Sequence, residues 1–469
     1  MALTKATYAM VAGSPLNALD FGAVPDDASA AAANVVALQA AIDALTTNKT
    51  LYIPPGTYYL AGSLNFAKQN DGSSNKEFCS ILADNVVLKA TTDATPMIFG
   101  KVDETGPDLT NNFYIRGITF DADNLTDYAA TLRRCYSFKL ENCVFDNANL
   151  HGLYVFDKQH FGCTFIGCEF KNTAIGDGLH WEGDTAGNHT LFSGCKFTQT
   201  ADSGCYFVPT SGYAGEVMFL DCTFENCGDG GLVIDNVKGL NIIGCYSEVC
   251  VGGRDTALEI GASVRGANIS GNYFLVSDSS GQQYGISLLS ASSITISGNS
   301  FVGVDSTGYA IYFDNASHGV VTVISNAVET LAGPVSLHAS AVLSSRSFFN
   351  QSGYGTYGPV SPDYTIKSNN PRLVIQDTEG TYAYKYSWES NSGQFNLLNN
   401  SDVSIYSYEG ANTAPTHYFK QPVRLPQYAT GSRPSASDVG AGACIYDTTL
   451  SKPIWSNGTN WKDAAGTTV

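Results

Sequence analysis

Between residues 152 and 315 the chain keeps returning to a short stretch of alternating apolar and polar positions: GLYVFD, GLHWEGD, GCYFVP, GLVIDN, ALEIGA, GISLLS and AIYFDN. Alternation over so few residues is the pattern of a half-buried β-strand. It assigns Leu153, Leu179, Cys205, Leu232, Leu258, Ile286 and Ile311 to the inside. Tyr154, His180, Tyr206, Val233, Glu259, Ser287 and Tyr312 then face out, followed two positions on by Phe156, Glu182, Val208, Asp235, Gly261, Leu289 and Asp314. A second recurring phrase, of the form ITISGNSF, closes on Phe145, Phe170, Phe197, Phe224, Phe274 and Phe301. Its corner residues Cys143, Cys168, Cys195, Cys222, Cys245, Asn272, Asn299 and Asn326 are separated by 25, 27, 27, 23, 27, 27 and 27 residues. A repeat of that length, holding short strands and no helix, predicts the coils of a parallel β-helix from about residue 50 to 343. Each coil turns sharply at Gly-Asn or Gly-Cys, where Asn tolerates left-handed backbone and its amide can bond the Asn one coil up.

The ends of such a stack need covers. AAANVVALQAAIDAL carries Val35, Leu38, Ile42 and Leu45 at helical spacing after the caps Asp26 and Asp27, which predicts a helix over the N-terminal end. LYIPPGTYYL follows as the first strand pair. The divisions expected are an N-terminal segment 1–19, the β-helix with its capping helix over 20–345, a linker over 346–371, an antiparallel, sandwich-like β domain over 372–421 and a tail module over 422–469. The linker contains GYGTYG, formally GxGxxG, but no strand and helix flank it as a dinucleotide site requires. In the tail module, Trp455 and Trp461 suit either stacking on sugar or a packed terminal clasp.

Composition narrows the partners. A net charge of −18 with only 25 Lys+Arg argues against nucleic acid. MALTKATYAMVAGSP does not read as a secretory signal, and no apolar run is long enough to span a membrane. Five of the 12 cysteines fall on the corner period, and Cys227 and Cys250 form a second periodic pair, so reduced thiols stacked inside the coils are expected rather than disulfides. Neither CxxC nor a His set accompanies them, and no Ca²⁺-loop spacing stands out; no metal and no cofactor are expected.

DFGAVPDD at 20–27, the Ala-rich helix, LYIPPGTYYL and the SGN-type coils together resemble the pectate-lyase superfamily, specifically its bacteriophage tailspike branch. LTKATYAMVAG at the start and GSRPSASDVGAGACIYDTTLSKPIWSNGTNWKDAAGTTV at the end are similar to the ends of phage tailspikes and tail fibres. The usual GDGxTDD after DFGA is here only VPDD. The resemblance implies a right-handed β-helix, a homotrimer joined chiefly through the C-terminal part, and attachment to phage tail or baseplate proteins. It also implies synthesis in the host cytoplasm and action at the host surface, as an endo-acting depolymerase of capsular polysaccharide or O-antigen.

The outward face of the alternating strands gathers His180, Glu182, Asp184, Asp235 and Glu259 among Tyr154, Phe156, Tyr206 and Tyr312. Flat aromatic faces suit sugar rings, and paired carboxylates suit glycosidic acid/base work. With strands about 4.8 Å apart, Glu182 and Asp235 fall about 9.6 Å apart at Cα, and Asp235 and Glu259 about 8 Å. Such separations leave room for water, as in an inverting pair. Asp235 is the first choice as catalytic group, with Glu182 and Glu259 as its partners; Val208 and Val233 beside it lower the local polarity. Tyr154, Tyr206, His180 and Asp184 would line sugar subsites, Arg254 would meet an acidic sugar, and Asp177 stands in the turn ahead of the strand. A lyase acting on uronic acid and a non-catalytic receptor-binding protein remain open alternatives.

Overall fold

The structure, a computed structural model, describes residues 14–66, 78–100, 110–157, 160–183, 187–250, 252, 254, 256–276, 284–290, 292–303, 308–314, 317–329, 331, 333–337, 342–343, 348–350, 372–376, 385–391, 394–398, 404–409, 416–419 and 424–469. The chain forms two units, Met1–Asp363 and Tyr364–Val469. The linker expected at 346–371 lies outside the described residues apart from its first strand residues.

The first unit is a stack of coils made of short parallel strands. One sheet is eleven strands deep and contains, in spatial order, Tyr128–Arg133, His151–Phe156, Leu179–Trp181, Cys205–Phe207, Leu232–Ile234, Thr256–Ile260, Tyr284–Leu288 and Tyr309–Phe313. A 22-stranded sheet carries the strands on either side of each corner, joined where Ser80–Ala90 and Tyr114–Asp121 run through both. The inward residues meet coil to coil as the alternation requires: Leu153, Leu179, Cys205, Leu232, Leu258, Ile286 and Ile311 are successive register partners, and all are buried. Phe120, Phe145, Phe170, Phe197 and Phe224 stack at 4.8 to 5.2 Å. The 23-residue coil breaks this ladder, because Ser247 stands between Phe224 and Phe274 before stacking resumes at Phe301.

The corners correct one expectation. The left-handed residue is the one before each corner residue: Asn142, Gly167, Gly194, Asp221, Gly244, Gly271, Gly298 and Ser325, with φ from 50 to 68°. That reversal turns the following Cys or Asn inward, where all eight are buried. Each buried side chain then donates to a carbonyl of the neighbouring coil. Cys222 Sγ reaches Phe192 O at 3.5 Å and Cys245 Sγ reaches Phe219 O at 3.7 Å, while Asn272, Asn299 and Asn326 reach Ile242, Ile269 and Ile296 O at 2.9, 2.9 and 3.1 Å. Thiol and amide are thus two solutions to one corner. All twelve cysteines are free thiols, so the stacked-thiol expectation holds.

At the N-terminal end, helix Ala31–Asp43 buries Leu38 and Ile42, with Leu45 just beyond it. Asp27 caps the short turn Ala28–Ala30 ahead of the helix, whereas Asp26 accepts from the Thr57 N–H and ties the turn to strand Gly56–Leu60.

In the second unit, Arg372–Gln376, Lys385–Asn391, Gln394–Leu398, Ser404–Glu409 and Thr416–Phe419 pair in sequence order as an antiparallel sheet. A separate four-stranded sheet from Gln427 to Lys462 closes on a small core of Ala436, Ile445, Ile454 and Trp461. Trp461 is buried and donates through Nε1 to Pro434 O, while Trp455 is exposed. The two tryptophans face opposite sides of adjacent strands and do not form one platform.

Candidate functional site

The strands that carry the site open on glycines whose packing fixes their position. A Cβ on Gly178 would lie 2.6 Å from Gly204 O and 3.1 Å from the Phe170 Cβ, and Gly204 and Gly231 repeat the arrangement one coil further on. Backbone therefore sits directly on backbone here, and the side chains that follow are held at the coil spacing.

Outward positions run Thr131, Tyr154, His180, Tyr206, Val233, Glu259, Ser287 and Tyr312, each the register partner of the next. The row two positions on also stays in step: the N–H groups of Glu182, Val208, Asp235 and Gly261 donate to Val155, Trp181, Phe207 and Ile234 O in turn. Glu182 and Asp235 therefore stand two coils apart, about 9.6 Å between Cα atoms by strand spacing.

Rings of the first row and of the positions just ahead of it lie against one another, with Tyr154 tilted 47° to His180 at 5.7 Å. Tyr128 and Tyr154 lie 4.7 Å apart, His151 and His180 4.2 Å, and His180 and Tyr206 4.8 Å. Under the stack, Asp177 is buried and points Oδ2 at His180 Nδ1, 2.6 Å away, while Oδ1 accepts from the Ser203 N–H at 2.9 Å. His180 Nε2 stands 3.6 Å from Glu182 Oε2, and the Tyr154 hydroxyl donates to Glu182 Oε1. Burial, then that bond to the carboxylate, pushes the Tyr154 phenol well up. His151 accepts the Asp177 N–H at its Nδ1, 3.0 Å away; burial, then the charge of His180, drops its pKa to about 3.

Three coils on, Arg254 is clamped between carboxylates, its Nη1 2.5 Å from Glu259 Oε1 and its Nε 3.1 Å from Asp229 Oδ2. Burial raises the Glu259 carboxyl above its ordinary value against the pull of Arg254, with Asp229 and Asp235 adding to the rise. Burial likewise raises Asp202, with the negative charges of Asp177 and Asp229 behind it. Asp235 uses Oδ1 to accept from the N–H groups of Asn236 and Ser263, at 2.8 and 2.7 Å. Its carboxylate lies over Gly261, where a Cβ would come within 2.3 Å of the Asp235 Cγ.

The structure thus brings together Tyr154, Asp177, His180, Glu182 and Tyr206 in one group, and Asp235, Arg254 and Glu259 in another beside it. Asp184 lies outside the described residues. Sequence reasoning missed Tyr128, His151, Asp202 and Asp229. The signal was available for two of them: Asp177, Asp202 and Asp229 recur 25 and 27 residues apart, on the coil period.

His151, Asp177 and His180 offer donor atoms within 4.8 Å of one another, the residue set of a metal site. The distances are those of a hydrogen-bonded network. Tetrahedral co-ligands around one ion lie about 3.4 Å apart, whereas Asp177 Oδ2 and His180 Nδ1 are 2.6 Å apart, and the His151 Nδ1 lone pair is occupied by a backbone N–H.

Residues 128–301 match the family model for right handed beta helix regions. No curated protein matches the chain. Among solved structures it is similar to ORF18 of Geobacillus virus E2, at 14% identity and a TM-score of 0.53, covering 97% of this chain and 85% of that one. It is also similar to PfbA, a surface adhesin of Streptococcus pneumoniae, at 12% identity and a TM-score of 0.49, covering 82% and 99%. Dettilon tailspike protein (gp208) matches at 11% identity and a TM-score of 0.44, covering 84% and 78%. The sequence period, the coil-by-coil register, the family-model match over 128–301 and the likeness to the Geobacillus virus E2 structure together make the first unit a right-handed parallel β-helix.

Proposed function

We propose that the protein is a phage tailspike that binds a bacterial surface polysaccharide, capsule or O-antigen, and cuts it by endo-glycosidic hydrolysis. The observation that carries this reading is the outward face itself, where a run of rings from Tyr128 to Tyr206 leads past Glu182 towards Asp235 and Glu259, two and three coils further on. Stacked flat rings bind sugar faces, and the separation of Glu182 from Asp235 leaves room for a water between them. Asp235, an acceptor of two backbone N–H groups, suits the base that activates that water. Glu182 then delivers the proton to the leaving oxygen, and the C1–O bond breaks as the water oxygen bonds to C1. Tyr154, Tyr206 and His180 line the subsites.

Arg254 bears on the choice between hydrolase and lyase. β-Elimination needs a cation to neutralise the uronate carboxylate, and Arg254 is already held by Asp229 and Glu259. Its role is to hold Glu259 in place, which favours hydrolysis. The resemblance of both chain ends to tailspikes supports a homotrimer on the virion tail, attached to other tail or baseplate proteins.

The test is to incubate the full chain with purified capsular polysaccharides and O-antigens while following viscosity, reducing ends and absorbance of unsaturated products. Falling viscosity with new reducing ends and no unsaturated product is expected. Unsaturated product would make it a lyase; binding without cleavage would make it a receptor-binding protein.

A further inference from the structure

The geometry points to His180 as the residue that returns the proton to Glu182 between turnovers, with Asp177 as the positioning residue that fixes its tautomer. This rests on the hydrolase reading above and adds a step to it.

Three observations converge. First, Asp177 is buried, and its two oxygens are divided between the Ser203 N–H and His180 Nδ1, so the carboxylate is anchored and aimed. A buried carboxylate 2.6 Å from an imidazole nitrogen holds the N–H on that nitrogen and leaves Nε2 as the exchanging atom. Secondly, Nε2 faces Glu182 Oε2 at 3.6 Å, close enough for a small side-chain adjustment to make the hydrogen bond. Thirdly, the neighbouring imidazole is removed from the exchange: His151 stacks on His180 at 4.2 Å but spends its Nδ1 lone pair on the Asp177 N–H. One histidine of the pair is thus left to move a proton, with Tyr206 stacked on its other face.

The balance is simple. After cleavage Glu182 has lost its proton to the leaving oxygen and Asp235 has gained one from water. Imidazolium His180 gives its Nε2 proton to Glu182 and takes another from bulk water, while Asp235 releases its proton to solvent. Asp177 stays ionised and stabilises the imidazolium.

Two readouts test this on the full chain. In protein labelled with ¹⁵N-histidine, a carboxylate-bonded Nδ1–H gives a downfield imidazole proton resonance. That resonance should vanish in Asp177→Asn and in His180→Gln and persist in Glu182→Gln. With a capsular polysaccharide that the wild type cleaves, Asp177→Asn and His180→Gln should lower kcat at least tenfold with KM changed less than about twofold, and added imidazole should restore part of kcat to His180→Ala. Absence of the resonance, full kcat in His180→Gln, or stoichiometric Zn²⁺ or Mn²⁺ binding abolished by Asp177→Asn would each overturn the proposal. A wild type that shows the resonance but cleaves no polysaccharide removes the hydrolase reading and the proton-return step with it, leaving only the Asp177–His180 hydrogen bond established.

Discussion

Truncating Asn299 to alanine should destabilise the β-helix by an amount that the structure allows to be counted. Its Nδ2 donates to Ile269 O at 2.9 Å and to Asn326 Oδ1 at 2.8 Å, and its Oδ1 accepts from the N–H and Nδ2 of Asn272 at 3.0 and 2.9 Å. Two of the four partners keep another bond: Asn272 Nδ2 still reaches Ile242 O, and Asn326 Oδ1 still accepts the backbone N–H of residue 299. The Asn272 N–H and the Ile269 carbonyl each lose a partner in a buried place. At about 1–3 kcal/mol per abandoned group, Asn299→Ala costs about 2–6 kcal/mol. For a β-helix of about 300 residues the unfolding entropy is about 0.6 kcal/mol/K, so the calorimetric transition should fall by about 3–10 °C. Asn299→Cys restores the residue used at the earlier corners, with a thiol donor for Ile269 O but no acceptor for Asn272, and should cost about half as much. Ser297→Ala, at an outward position, serves as control. Asn299→Ala matching that control, or Asn299→Cys costing as much as Asn299→Ala, would refute the reasoning.

Other consequences are checkable in the same preparations. Glu182→Gln and Asp235→Asn should each lower the cleavage rate about a hundredfold with the melting transition unchanged, since general acid or base work is worth about that much. His151 is held neutral in the fold with its pKa near 3, against about 6.5 unfolded, so the unfolded chain binds the extra proton and stability falls as pH drops below about 6.5. Between pH 7 and pH 5 the wild type should therefore lose about 2 kcal/mol more than His151→Gln in urea unfolding. Trp461→Ala should collapse the tail module's small core, a loss of about 3–5 kcal/mol, while Trp455→Ala leaves its fold intact by circular dichroism. Light scattering should give three times the chain mass, and deleting 422–469 should weaken that assembly before it weakens cleavage.

The parts of the molecule governed by periodicity were legible in the sequence. Alternation alone assigned Leu153 through Ile311 inward and the row from Tyr154 to Tyr312 to the opposite face, because a strand in a coil has only two faces and the period is fixed by the stack. Val233 and Ser287 in that second row are nevertheless covered by their neighbours and buried rather than solvent-facing. Where chemistry depends on local backbone, the sequence was a poorer guide. The left-handed turn belongs to Gly298 and not to Asn299, a shift of one residue that decides whether the amide bonds its neighbour or solvent. Asp235 was expected as a carboxyl in apolar surroundings, yet two backbone N–H groups meet it from its own turn and the next coil. Arg254 was expected to meet substrate and instead lies between two carboxylates contributed by different coils. His151 escaped notice because it precedes the alternating stretch, and only the seating of the following coil, with the Asp177 N–H on its Nδ1, brings it beside His180. Such contacts cross about 25 residues of chain, and composition within one strand carries no trace of them.

The column of thiols gives the protein an internal gauge of its own opening. Eleven buried cysteines, from Cys79 to Cys250, mark much of the solenoid's length, and none is tied into a disulfide. An alkylating reagent reaches such a sulfur only when its coil parts from its neighbours, so the order in which these cysteines acquire label, read peptide by peptide, would chart where unzipping begins and how far it travels. Solenoids unravel by loss of successive nearest-neighbour contacts. Here the wild-type chain already carries the reporters that in most repeat proteins would have to be introduced.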